Sequence, residues 1–156
     1  MSNRFYSSEH LKSRKMISEI FNLRQSVSAF PLRILWLEIP NSQDLGKYHF
    51  LSASADVRHQ IAFSVPKRKL KHAVDRNRVK RQLREIYRLN KTELLQFLMH
   101  EDKKLISIVV YTDGKLYDTS FLEKKYLYLL QKLRQKLANP TPPASPESII
   151  PMQPTE

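Results

Sequence analysis

The segment HAVDRNRVKRQLREIYR, from His72 to Arg88, constrains the fold more than any other part of the chain. Wound as an α-helix starting at Asp75, it puts Val79, Leu83, Ile86 and Tyr87 on one side, at i, i+4, i+7 and i+8. Asn77, Lys80, Arg81, Arg84 and Arg88 gather on the other. The first set needs a core and the second needs water or an anion, so this helix must lie along a domain boundary. The Asp75 carboxylate is placed to cap free N–H groups and to complement the helix dipole.

The rest of the chain supplies what such a helix can pack on. Ser13 is an N-cap candidate ahead of Met16, Ile17, Ile20 and Phe21, a short one-faced helix ending near residues 22–25. Pro31 to Pro40, PLRILWLEIP, is a β-rich run that leads into a turn at NSQDLG. Lys47 to Ser54 alternates weakly as a second strand, and Ile61 to Val65 reads as a third, stopped at Pro66, which lacks a ladder donor. Helical character resumes through ELLQFLMH after a break expected near residues 90–92. Ile106 to Thr112 is a mostly β-branched run and reads as a strand buried on both faces. Ser120 and Glu123 form a capping-box signature for a last helix, with Leu122, Tyr126, Leu129, Leu130, Leu133 and Leu137 as its apolar stripe. From Asn139 onward the chain holds six of the nine prolines and no basic residue, the composition of an extended, disordered tail. The order α-β-β-β-α-β-α predicts an α+β fold, a small four-stranded mixed sheet with three helices, in one domain over residues 1–138 followed by a tail at 139–156. The third strand, basic helix and fourth strand would form a βαβ unit.

Charge says what the boundary helix meets. Lys and Arg number 27 against 15 Asp and Glu, a net of +12. Eleven of those cations and only two acids lie between Lys67 and Lys91, so a net of +9 falls within 25 residues. Most charge runs are solvated faces, but acidic partners at i±4 are nearly missing here, Glu85 being the one within reach, and uncompensated repulsion favours a polyanionic partner. With two glycines in the chain, Gly46 and Gly114, a glycine-rich phosphate cradle is excluded, and phosphate binding falls to side chains and helix ends. Arginine is suited to that task by its planar fork of donors, and Asn77 between two arginines adds a group that both donates and accepts.

Catalytic chemistry is not legible. Cysteine is absent, and the histidines at 10, 49, 59, 72 and 100 show neither metal-ligand spacing nor a nearby acid pair. No apolar run approaches the roughly 18 residues of a membrane helix, and the N-terminus has no apolar signal core, so a soluble cytoplasmic protein is expected.

The residues Ser64-Val65-Pro66-Lys67-Arg68, followed after a spacer by Ala73-Val74-Asp75-Arg76-Asn77-Arg78-Val79-Lys80-Arg81-Gln82-Leu83-Arg84-Glu85, resemble the signature of the bacterial ribonuclease P protein component. LKSRKMISEIF resembles that family's first helix, PLRILWLEI its following strand, and ISIVVYT with the last helix its end, so the likeness spans about residues 10–137. The resemblance implies a ribosomal-protein-like fold with a left-handed βαβ crossover, against the usual handedness. It implies an endoribonuclease subunit that helps remove the 5′ leader of precursor tRNA, with the chemistry and most of the Mg²⁺ residing in a catalytic RNA partner. It makes Arg76, Asn77, Arg78, Lys80, Arg81, Arg84 and Arg88, with Lys67, Arg68, Lys69 and Lys71, candidates for RNA contact. A cleft between the first helix and the sheet would take the single-stranded leader, with Ile17, Phe21, Leu35 and Trp36 as candidates; the two aromatic residues equally suit core packing. Two rivals are an RNA-binding structural protein of ribosomal type, using the same cationic helix, and a nuclease that cuts without RNA.

Overall fold

The computed structural model describes residues 4–5, 9–23, 25–39 and 58–138. Seven elements follow in the order α1 (Arg14–Leu23), β1 (Ser26–Ala29), β2 (Leu32–Ile39), β3 (His59–Ser64), α2 (Ala73–His100), β4 (Lys104–Tyr111) and α3 (Thr119–Ala138). The strands form one sheet in the order β1-β2-β4-β3. β2 runs antiparallel to β1 and β4, while β3 and β4 are parallel and joined through α2, which is the crossover of a βαβ unit. This is the expected α+β fold of three helices on a mixed sheet.

Period-two alternation sorts the sheet residues onto two faces. Leu32, Ile34, Trp36, Ile61, Leu105, Val109 and Tyr111 pack against α2 and α3. Leu35, Leu37, Ile39, Ile106 and Ile108 pack against Met16 and Ile20 of α1. β4 sits between β2 and β3 with helices on both sides, which is why its sequence from Leu105 to Tyr111 is apolar apart from the buried, hydrogen-bonded Ser107. Ser13 caps α1 as expected, its Oγ accepting from the Met16 amide at 3.3 Å.

Several boundaries differ from the sequence expectation. The first strand is Ser26–Ala29, a four-residue segment with one buried side chain, too short to announce itself. The strand expected at 47–54 lies outside the described residues, as does the tail at 139–156. α2 begins at Ala73, with His72 in the cap position making no side-chain cap bond and Asp75 in the first turn. It continues without a break to His100, with the side chains at 90 and 91 tied to α2 itself, to α3 and to the N-terminal segment. Asn90 Nδ2 donates to the Ile86 carbonyl and to Glu123 of α3, both at 2.8 Å. Glu123 is thereby turned to α2, and α3 starts instead at Thr119 with the Asp118 carbonyl accepting from the Leu122 amide.

Lys91, on the buried side of α2, anchors the N-terminal segment. Its Nζ donates to Glu9 Oε1 at 2.9 Å and Oε2 at 3.0 Å, and also to the Arg4 carbonyl. Tyr87 OH reaches Glu9 at 3.5 Å and His59 Nδ1 at 3.2 Å, while His59 Nε2 lies 2.8 Å from Ser107 Oγ. This chain of polar groups links three elements through the core. Its members satisfy one another, as buried polar groups must. The Leu11 amide donates to the Ile61 carbonyl, so the N-terminal segment also lines the outer edge of β3.

Candidate nucleic-acid interface

The cationic row of α2 stands out from the domain because the opposite side of the helix is locked into the core. Val79, Leu83, Ile86 and Tyr87 are buried, as the apolar spacing predicts. Asn77, Arg78, Arg81 and Arg84 are exposed, and Arg76, Lys80 and Arg88 half-buried. Arg78, Lys80, Arg81 and Arg84 make no ion pair or hydrogen bond among the described residues. Arg88 does, pairing with Glu85 at 2.6 Å, and its guanidinium holds the Glu85 carboxyl below the usual carboxylate range by hydrogen bonding. The row therefore separates into four uncompensated cations and one that is already paired.

Arg76 has a third role. Its Nη1 donates to the carbonyls of Leu70 at 2.8 Å and Lys71 at 2.7 Å. It thereby fastens the loop between β3 and α2, which presents Lys67, Arg68, Lys69 and Lys71 to solvent beside the helix. Leu70 of that loop is buried in the main core, so the four cations are carried on an anchored turn. A Cβ on Gly114 would lie 3.1 Å from the Lys69 carbonyl, so the loop after β4 packs closely against this turn. His10 marks the field at the other side: burial, then the charges of Lys12 and Arg84, hold its imidazole below the ordinary range, partly offset by Glu9.

The second surface lies on the opposite face of the sheet. α1 covers the rows Leu35–Ile108 and Leu37–Ile106 and leaves the row Arg33–Val110–Ser64 only partly covered. With Gln60 and Ala62 of β3, these residues floor an opening walled by α1, where Ile17 is half-buried and Phe21 is 45% exposed. Two expectations are corrected here. Leu35, at 4% exposure, lies beneath α1 and supports the opening without lining it. Trp36 is one residue on and therefore points to the other face, into the core with α2 and α3 at 8% exposure. The floor residues Arg33, Gln60, Ala62, Ser64 and Val110 were not singled out from sequence, although the alternation of HQIAFS and IVV carries the signal once strand order is known.

No helix among the described residues is long and apolar enough to cross a membrane. The His59–Ser107 pair has the atom types of a base and a nucleophile, but both are buried, and burial pushes the His59 imidazole down to about 3. It is a structural contact and offers no base near neutral pH.

Comparison with known proteins fits this arrangement. A family model described as Ribonuclease P matches residues 5–134. The Ribonuclease P protein components of two Porphyromonas gingivalis strains are each 36% identical over 94 residues, covering 60% of this chain, and the chain spans 59% of the length of these curated relatives. The structure of Staphylococcus aureus RNase P protein superimposes with a TM-score of 0.58 at 17% identity, covering 80% of this chain and 94% of that one. A mutant of that protein with defective mRNA degradation activity gives 0.56 at 17% identity, covering 81% and 89%. At that identity the two structures speak for the fold, and the family model, which takes in both the cationic helix and the α1 face, decides the family: the chain belongs to the Ribonuclease P protein family.

Proposed function

We propose that this chain is the protein subunit of a ribonuclease P ribonucleoprotein and assists removal of the 5′ leader from precursor tRNA. The observation that carries the reading is the unpaired row Arg78, Lys80, Arg81 and Arg84 around Asn77 on a helix within the family match. Cations without internal partners lose nothing in the protein when they turn to phosphate, and arginine forks give that contact direction. In this reading the row and the Lys67–Lys71 turn dock the catalytic RNA. The opening between α1 and the sheet receives the leader, with Phe21 offering a ring for an unpaired base and Arg33 a cation for its phosphates.

The polypeptide's part is binding and orientation. Among the described residues no group of three or more His, Cys, Asp or Glu side chains could hold a metal ion. In this reading the Mg²⁺ that the reaction requires is held mainly by the RNA partner, and no step is routed through protein ligands. By screening repulsion between two RNAs and touching the leader, the protein would favour precursor over mature tRNA, since mature tRNA lacks the leader contacts.

Reconstitution tests this directly. The chain assembled with the catalytic RNA should cut precursor tRNA at the mature 5′ end and bind it more tightly than mature tRNA. Equal binding of the two would leave only a structural RNA-binding role, and cutting by protein free of RNA would move the chemistry into the polypeptide.

A further inference from the structure

α3 carries a surface that this function does not use. Its apolar stripe, Leu122, Tyr126, Leu129, Leu130, Leu133 and Leu137, is consumed by the core. On the outer side, Phe121, Lys125, Tyr128 and Lys132 follow at i, i+4, i+7 and i+11, within about 60° of one another around the axis, so they form a straight line along the helix. Phe121 is 37% exposed and Tyr128 51%. The Lys125 ammonium sits 5.3 Å from the Phe121 ring centroid and that of Lys132 5.1 Å from the Tyr128 centroid. Tyr117 extends the line, stacked on Phe121 with centroids 4.8 Å apart and planes at 16°.

We infer that this ladder of alternating rings and ammonium groups is a binding surface for single-stranded RNA, separate from the α2 row and from the α1 opening. Charge selects the occupant. α3 carries Lys124, Lys125, Lys132, Arg134 and Lys136 against one acid, Glu123, whose carboxylate is taken by Asn90. A protein interface is depleted of lysine at its centre, whereas here each exposed ring has an ammonium over it. A membrane would need the apolar face of α3, which is buried. Unpaired bases stack on exposed rings with little regard to sequence, and their phosphates seek cations alongside. An exposed ammonium–ring contact is weaker than base stacking on the same ring, so each lysine can swing from ring to phosphate as a base takes its place.

The inference does not depend on the α2 reading, and its test keeps the two apart. A short oligouridylate is ultraviolet-crosslinked to the full chain and the crosslinked peptides are mapped; Phe121 or Tyr128 should be among the modified residues. Phe121→Ala with Tyr128→Ala should weaken oligouridylate binding roughly a hundredfold, the scale of two lost stacking contacts at about tenfold each. Lys125→Gln with Lys132→Gln, at two half-buried lysines on the outer side of α3, should lower the slope of log affinity against log salt by about 1.4, at about 0.7 per single-strand phosphate, with the circular dichroism spectrum of the wild type. Crosslinks confined to α1, α2 and the sheet, with an unchanged salt slope in the lysine variant, would overturn the inference. So would variants that lose binding to phosphatidylserine-containing vesicles, or lose self-association in sedimentation, while holding oligouridylate as the wild type does.

Discussion

Arg76 and Arg78 are two residues apart in the same motif, and the structure predicts that their loss will differ in kind. Arg76→Ala removes one guanidinium nitrogen that bridges the Leu70 and Lys71 carbonyls. Hydrogen bonds from a charged donor contribute about 1.5–3 kcal/mol each, and sharing one nitrogen at a partly solvated site reduces the pair to about 1–2 kcal/mol in all. For a folded body of this size that is a fall of roughly 4–8 °C in melting temperature. Arg78→Ala replaces an exposed residue without internal partners by one of similar helix propensity, so its stability should stay within about 0.5 kcal/mol of wild type. In binding the order reverses in clarity. Arg78→Ala should cost affinity for the catalytic RNA alone and lower its salt slope by about 0.9, a scale taken from duplex DNA. Arg76→Ala should lose more affinity, because the turn bearing Lys67, Arg68 and Lys69 loosens with it. Thermal circular dichroism and filter binding over a salt series read both quantities. If Arg76→Ala melted with wild type, the turn would not be held as described; if Arg78→Ala left affinity and slope unchanged, the row would be a solvated face.

Three further outcomes follow from the core. His59 is held near 3 by burial against 6.5 in the unfolded chain, so between those values the unfolded state binds the extra proton and stability falls as pH drops below 6.5. The loss should reach about 2 kcal/mol by pH of about 5 and be flattened in His59→Gln; equal slopes in denaturant melts of both proteins would refute the assignment. Lys91→Ala leaves Glu9 buried without its cation and should cost about 3–5 kcal/mol, most of it recovered when Lys91→Met is combined with Glu9→Gln. Emission from Trp36, the single tryptophan, should not change when oligonucleotide saturates the protein, whereas quenching would return it to the leader opening.

The parts of this molecule with strong local periodicity were legible in the sequence, and those set by pairing between distant segments were not. α2, β4 and α3 each declare themselves because burial on one stripe or on both faces dictates residue type along the whole element. Trp36 and Leu35 could not be assigned to faces, since alternation gives two faces but does not say which helix lies on each. The floor beside α1 needed the strand order β2-β4-β3, which places Arg33, Val110 and Ser64 in one row although 31 or more residues separate successive members in the chain. The Glu9–Lys91 pair spans 82 positions, and nothing near either residue marks it. For Arg76 the motif named the residue, but its structural bond to the preceding turn depends on where that turn folds back.

The shape of the cationic row carries a last prediction about which RNA it takes. Arg78, Arg81 and Arg84 are spaced by three residues, so each is rotated about 60° from the one before and the three fan over about 120° of the helix circumference. Lys80 and Asn77 lie within or beside the same sector. A single extended strand passing along α2 could meet only part of such a fan. A folded RNA with a concave backbone surface could meet all of it, because phosphates from both walls of a groove surround the helix. The line on α3 has the opposite character, four residues within about 60°, which suits one strand. Replacing Arg78, Arg81 and Arg84 together by Ala should therefore weaken binding of the folded catalytic RNA at least roughly tenfold more than binding of oligouridylate, when both are measured at the same salt concentration. Equal losses would mean that the row reads charge density alone, and that the fan has no part in selecting a folded partner.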